Sequence, residues 1–229
     1  MHNKMTRISI ICSVIIAAMM SGGCKDKPAA PGEKSNNQSA QAATKEAVKH
    51  ILFFGNSLTA GYGLEPAEAF PSLIQKKIDS AGLNYKVVNA GVSGETTAGG
   101  NSRIDWILKQ PVDVFILELG ANDGLRGIPV AETKRNLQAI INKVKKKYPQ
   151  AKLLLAGMQV PPSMGEDFAV NFRNLFPELA KKNNMAFIPF LLENVAGIRE
   201  LNQQDAIHPT AAGAKIVAEN VWTVLQPVL

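Results

Sequence analysis

Along most of the chain, short unbroken apolar runs alternate with stretches where apolar residues recur every three or four positions. The first run, His50–Phe54, is closed by Gly55 and reads as a buried strand. Phe70, Leu73, Ile74, Ile78 and Ala81 follow at helical spacing, with Pro71 near the start and Gly82 just past the end. Tyr85–Asn89 reads as a second strand, and Ile104, Ile107 and Leu108 mark a second helix. Val112–Leu119 is a third strand, almost wholly apolar. Leu137, Ile140, Ile141, Val144 and Tyr148 then make the clearest helical stripe. Lys152–Met158 and Met185–Phe190 read as strands four and five. Between them lies a helix carrying Phe168, Phe172, Leu175, Phe176 and Leu179, and a last helix runs from about Thr210 to Leu225. Continuous apolar strands alternating with amphipathic helices predict an α/β fold of three layers: a five-stranded parallel sheet with helices on both faces. Ligands of such sheets bind outside the carboxyl ends of the strands, so the segments after each strand are where chemistry is expected.

The first 49 residues follow a different pattern. Lys4 and Arg7 precede a mostly apolar stretch, Ile8–Met20, and then Ser21-Gly22-Gly23-Cys24. A basic start, a short apolar run and a small-residue ending describe a signal peptide over residues 1–23. The run is too short to span the ~30 Å hydrocarbon core as a helix. Gly-Gly-Cys resembles a bacterial lipobox, which implies lipidation of Cys24, although Ser21 stands where a leucine is usual. Residues 25–49 have no aromatic residue and Val48 as their only large aliphatic, so they are expected to be a disordered linker. A folded domain over residues 50–229 follows. The expected location is therefore the bacterial cell envelope, with an exported protein held at a membrane through Cys24.

The chain of 229 residues carries a formal charge of +6, which at first suggests a nucleic-acid or anionic-lipid partner. Residues 50–229, however, hold 18 basic against 16 acidic residues. Most of the excess lies in the signal and linker, so no nucleic-acid partner is expected. Lys143, Lys145, Lys146 and Lys147 read as the solvated face of their helix. Two cysteines and three histidines exclude a disulfide scaffold and a Cys-rich zinc module, and no metal or cofactor is expected. Cys12 leaves with the signal and Cys24 is consumed by lipid, so a cysteine nucleophile is excluded.

Polar or glycine-rich segments follow the strands: Gly55–Gly63, Asn89–Thr96, Gly120–Gly127 and, later, Asp205–Pro209. A serine becomes a nucleophile when a base takes its proton and a carboxylate orients that base. Of the two histidines outside the signal, His50 opens the first strand at the far edge of the sheet, which leaves His208. Asp205, three residues earlier, is close enough to bond its imidazole. Each piece has a plainer reading: Ser57 as a turn or helix-cap residue, Asn122-Asp123-Gly124 as an ordinary turn, Asp205–His208 as a polar turn before a helix. Taken together they suggest a hydrolytic site. The Ser57 and Gly94 N–H groups and the Asn122 amide would then be donors to an acyl oxyanion.

These four blocks, in this order, resemble those of the SGNH hydrolases, the GDSL lipase/esterase family. Gly55-Asn56-Ser57-Leu58-Thr59 resembles the nucleophile block and Gly94 the glycine block. Gly120-Ala121-Asn122-Asp123 resembles the asparagine block, and Asp205-x-x-His208 the final one. The resemblance covers essentially residues 50–229 and is greatest to small bacterial arylesterases and periplasmic thioesterase/lysophospholipases. It implies a flavodoxin-like sheet, Ser57 as nucleophile, His208 as general base and then acid, and Asp205 as its orienter. It also implies an oxyanion hole of Ser57, Gly94 and Asn122, and an acyl ester substrate, small or lipid. Asn56 departs from the pattern, since an aspartate is usual there.

Larger α/β-hydrolases place their serine in G-x-S-x-G, which is absent, and no phosphate-binding glycine loop follows the first strand. A non-catalytic lipoprotein binding a lipid or glycan in the same cleft, and a carbohydrate O-acetyl esterase, remain as alternatives. Two glycines bracket Leu125, Arg126 and Ile128 directly after Asn122, so Gly124–Val130 is expected to be a loop that forms part of the acyl pocket and moves on binding.

Overall fold

The computed structural model describes residues 47–229. The expected signal peptide, Cys24 and nearly all of the expected linker lie outside the described residues. Five parallel strands, β1 (Lys49–Gly55), β2 (Tyr85–Gly91), β3 (Val114–Glu118), β4 (Lys152–Ala156) and β5 (Ala186–Ile188), form one sheet in the order β2-β1-β3-β4-β5. The helices are α1 (Ser57–Ala60), α2 (Phe70–Ser80), α3 (Thr97–Ile107), α4 (Ala121–Leu125), α5 (Val130–Lys147), α6 (Glu166–Asn183) and α7 (Ala211–Leu225). α2 and α7 pack together as one layer, and α3, α5 and α6 as the other. A sheet covered on both faces buries its central strands on either side, here Ile51–Gly55 of β1 and all of β3. That is why β1 and β3 are continuous apolar runs rather than alternating ones. Phe53, Phe54, Phe115 and Ile116 lie within this core, each fully buried side chain contributing about 2–3 kcal/mol of burial free energy.

The helices follow their sequence signals. Pro71 sits in the first turn of α2, where its missing N–H costs nothing, and Phe70, Ile74 and Ile78 form its buried stripe. In α5 the buried stripe is Leu137, Ile140, Ile141 and Val144. Several boundaries differ from the sequence reading. β3, β4 and β5 are shorter than their apolar runs, because the last residues leave the ladder to build the loops beyond it. The expected linker extends to residue 49, but Lys49 already pairs with Tyr85 and its N–H donates to the Asn84 carbonyl at 3.0 Å. The expected solvated lysine face is also only half right. Lys143 bonds the Asn101 carbonyl at 2.8 Å and Asp105 at 3.0 Å, and Lys145 bonds the Asn183 carbonyl at 2.6 Å. These two lysines tie α5 to its neighbours, while Lys146 and Lys147 remain exposed.

Two features of the sheet set up the site. Gly55, Gly91 and Glu118 end their strands at the same level, since Gly55 pairs with Gly91 on one side and with Glu118 on the other. A Cβ on Gly91 would collide with the Ala60 nitrogen, so the turn after β1 can rest on β2 only because no side chain is there. At the opposite edge, the Tyr85 hydroxyl donates to the Leu229 carbonyl at 2.8 Å, and Lys152 reaches the Val228 carbonyl. His50 is there too, its backbone N–H bonded to Asp113 at 2.7 Å, away from the carboxyl ends of the strands.

Candidate active site

β1 is the central strand of the three that end level, so the turn after it is flanked by the turns after β2 and β3. Asn56 caps α1, its Oδ1 accepting from the Leu58 N–H at 2.9 Å. This places Ser57, only 8% exposed, on the first turn of a four-residue helix. The Ser57 Oγ lies 2.8 Å from His208 Nε2, and His208 Nδ1 lies 2.6 Å from Asp205 Oδ2. Asp205 accepts with its other oxygen as well, from the N–H groups of Ile207 at 2.9 Å and His208 at 3.0 Å. The loop makes these bonds by turning sharply at Ala206, which takes φ 59. Partial burial of the Asp205 carboxyl works against its ionisation. The hydrogen bonds from His208 and Ile207, and the histidine's charge, outweigh it and bring the pKa down to about 2. An ionised Asp205 holds the proton on Nδ1, so the Nε2 lone pair faces the serine hydroxyl.

His208 is braced from behind by residues that no sequence pattern singles out. The Tyr62 ring packs 4.7 Å from the imidazole, centre to centre. The Gln203 backbone N–H donates to the His208 carbonyl at 2.7 Å, and its side-chain amide donates to the carbonyls of Tyr62 and Pro209. Ser57, Leu58, Leu64, Phe70, Leu192 and His208 help to line a small, largely apolar cavity at this side of the serine.

On the other side, the turns after β2 and β3 are sewn together. Asn122 Nδ2 donates to the Glu95 carbonyl at 3.0 Å, which sets its amide beside Gly94 in the chain and leaves its second proton for another acceptor. Asp123 is fully buried and accepts from the Thr97 N–H at 2.8 Å and the Thr97 hydroxyl at 2.5 Å. Arg103 grips Glu95 with two bonds of 2.6 and 2.5 Å, donates to the Ala90 carbonyl at 2.8 Å, and lies over the Phe54 ring. The Val92 N–H in turn donates to the Gly55 carbonyl at 3.0 Å, which joins this assembly to the serine turn. Apart from the Arg103–Glu95 pair, 8 residues apart, Gly94 and Asn122 are thus held by bonds between distant segments, Asn122 to Glu95 across 27 residues and Asp123 to Thr97 across 26.

The expected loop at Gly124–Val130 differs from the sequence reading. Its first residues belong to α4, and its return is closed by the Ile128 N–H donating to the Asp123 carbonyl at 2.9 Å. A helix of five residues is too short for periodicity to reveal. Leu125 is 40% exposed, Ile128 is half-buried, and Arg126 donates to the Gly94 carbonyl at 3.0 Å.

The largest omission from the sequence reading is Glu118, the last residue of β3, which is 1% exposed. One oxygen accepts from Asn56 Nδ2 at 2.8 Å. The other accepts from the Asn56 N–H at 3.1 Å, the Thr59 N–H at 3.2 Å and the Thr59 hydroxyl at 2.7 Å. Burial pushes its pKa up, the four hydrogen bonds pull it down, and the result is about 7 against an ordinary 4.5. The folded state therefore binds a proton here that the unfolded chain has already released. Its contribution to stability is complete below pH 4.5 and is lost as pH rises through 7, about 3 kcal/mol in all. Denaturant titrations from pH 4.5 to 8 should show wild type losing about that much relative to Glu118→Gln, which cannot titrate; parallel curves would contradict it.

The GDSL-like lipase/acylhydrolase family model matches residues 53–216. Esterase TesA of Pseudomonas aeruginosa is 37% identical over 184 residues, covering 80% of this chain and 90% of that protein. Thioesterase 1/protease 1/lysophospholipase L1 of Escherichia coli is 34% identical, covering 80% of this chain and 86% of its own length. A crystal structure of TesA superposes with a TM-score of 0.76 at 37% identity, covering 79% of this chain and all of that one.

Proposed function

The chain belongs to the GDSL-like lipase/acylhydrolase family and is a serine ester hydrolase, and we propose that its chemistry runs through Ser57, His208 and Asp205. The observation that carries this reading is the unbroken hydrogen-bond chain from Ser57 Oγ to His208 Nε2 at 2.8 Å and from Nδ1 to Asp205 at 2.6 Å. In the first step Ser57 Oγ attacks the acyl carbonyl carbon while its proton passes to Nε2. The carbonyl oxygen becomes an oxyanion, which accepts from the Ser57 and Gly94 N–H groups and from the Asn122 amide proton not used by Glu95. Collapse breaks the bond to the leaving group, and the histidinium returns its proton to that group. Water then repeats the sequence on the acyl-enzyme, giving the free acid and restoring Ser57. A fluorophosphonate tests this directly. It should add to the peptide containing Ser57 in the wild type and not in Ser57→Ala, and a folded wild type that stays unlabelled would favour the non-catalytic binder.

Asn122→Ala should lower kcat by about 100- to 1,000-fold with KM little changed, because its amide bonds a charge present only in the transition state. An equal rise in KM would mean that Asn122 instead binds the ground-state carbonyl.

The substrates are acyl esters, and on our reading Leu125, Arg126 and Ile128 border the acyl group. They directly follow Asn122, and Arg126 is bonded to Gly94, which supports that assignment. Shortening this segment should change the preference among acyl chain lengths from acetyl to palmitoyl; an unaltered preference would remove it from the pocket. The chain is exported and carries lipid on Cys24, a reading supported by the basic, apolar and Gly-Gly-Cys sequence at its start. Labelled palmitate should be incorporated by the wild type and not by Cys24→Ser.

A further inference from the structure

We propose that Asn56 and Glu118 are a matched amide–carboxylate pair that fixes the position of Ser57, which makes Glu118 a positioning residue for the nucleophile. The inference rests on the esterase reading above and adds to it a residue outside the four sequence blocks. Glu118 touches neither Ser57 Oγ nor its base. It grips the residues on both sides of the serine instead, through backbone and side chain in each case: Asn56 N–H and Nδ2, Thr59 N–H and Oγ1. The carboxylate reaches them across Gly55, its partner in the ladder, where a Cβ would come within 2.5 Å of Glu118 Oε2 and closer still to the Thr59 hydroxyl oxygen. A short helix made of only four residues has little rigidity of its own, so the clamp is what holds the serine turn in one place.

The pair has a direction. The Asn56 amide must turn its oxygen to the Leu58 N–H and its nitrogen to Glu118, so both ends of the side chain are committed. A glutamine at 118 therefore cannot be accommodated by any amide flip. With its oxygen toward Thr59, its nitrogen faces the Asn56 nitrogen, donor to donor. Turning Asn56 over to relieve this sets Nδ2 against the Leu58 N–H and breaks the cap. Exchanging the two groups removes the conflict. In Asn56→Asp/Glu118→Gln, one oxygen of the relocated carboxylate accepts from the Leu58 N–H and the other from the new glutamine amide. The glutamine oxygen then accepts from Thr59 and from the backbone N–H of residue 56. The net charge and every hydrogen bond are retained, with the carboxylate moved one residue along the chain of bonds.

The test compares wild type, Glu118→Gln and the exchanged double variant in hydrolysis of a soluble aryl ester, with Tm read on each. Glu118→Gln should lose about 10- to 100-fold in kcat with KM within about threefold, since a serine displaced by a fraction of an ångström still allows binding. The double variant should recover to within about threefold of wild-type kcat and regain the lost Tm. A Glu118→Gln enzyme with wild-type kcat would overturn the proposal, as would a double variant no better than the single one. Should Glu118→Gln fail to fold, a folded and active double variant still supports the pairing, and an unfolded one overturns it. If wild type hydrolyses no ester and takes no fluorophosphonate, the esterase reading fails instead, and the pairing is still read from the recovery of Tm.

Discussion

Ser57→Ala should reduce kcat by about 10⁴- to 10⁶-fold while the protein folds normally. The hydroxyl makes one strong contact, at 2.8 Å to His208, so its removal leaves a small space and no buried unpaired charge. What disappears is the covalent route itself. The residual rate reflects water attacking an ester held by the oxyanion donors and should no longer show an initial burst of leaving group. His208→Ala should give a loss of similar size, and the two together little more than either, because proton acceptor and nucleophile act as one unit. Stopped-flow release of p-nitrophenol from an aryl ester measures both quantities. Retention of even one-tenth of the wild-type kcat in Ser57→Ala would remove Ser57 from the mechanism.

Asp205→Asn should cost about 10³- to 10⁴-fold in kcat without disturbing the backbone. Asp205 Oδ1 accepts from two N–H groups, which an amide oxygen can equally do, so the turn around Ala206 survives. The new NH₂ then faces His208 Nδ1 and donates to it, and the ring proton moves to Nε2. That nitrogen can no longer accept from Ser57. The substitution also shifts the response to acid. Asp205 ionises with a pKa of about 2, below the 3.8 of an unconstrained aspartate, so its contribution to stability is present above about pH 4 and lost as pH falls through 2. In Asp205→Asn that loss should be absent from acid-unfolding curves. A variant with unchanged kcat would mean that His208 is oriented by Gln203 and Tyr62 alone.

The sequence displays what is local. β1 and β3 are legible because a strand buried on both faces has to be apolar at every position, and α5 because one face of each 3.6-residue turn has to be. Ser57, Asp205 and His208 are legible because each sits in a short segment following a strand or preceding a helix, where polar residues have few structural duties. Glu118 is hidden by its surroundings: one acid closing the run Val114–Glu118 reads as the end of an apolar strand, and its four donors are 59 to 62 residues away. The Asp123–Thr97 and Asn122–Glu95 contacts are invisible for the same reason, their partners lying 26 and 27 residues apart. Hydrogen bonds between the segments that follow different strands leave no periodic trace, and only the packing of β2 and β3 on either side of β1 brings these partners together. Tyr62 and Gln203, which brace the histidine, are ordinary surface residue types in ordinary loops.

Tyr85 pairs with Lys49 across the sheet and holds the Leu229 carbonyl with its hydroxyl. Tyr85 therefore touches both the first residue of β1 and the last residue of the chain, at the end of the sheet remote from Ser57. Because one tyrosine bridges the two, the domain is a candidate for circular permutation: a flexible linker would join 229 to 49, with the backbone reopened in a surface turn such as Gly82, where there is open space.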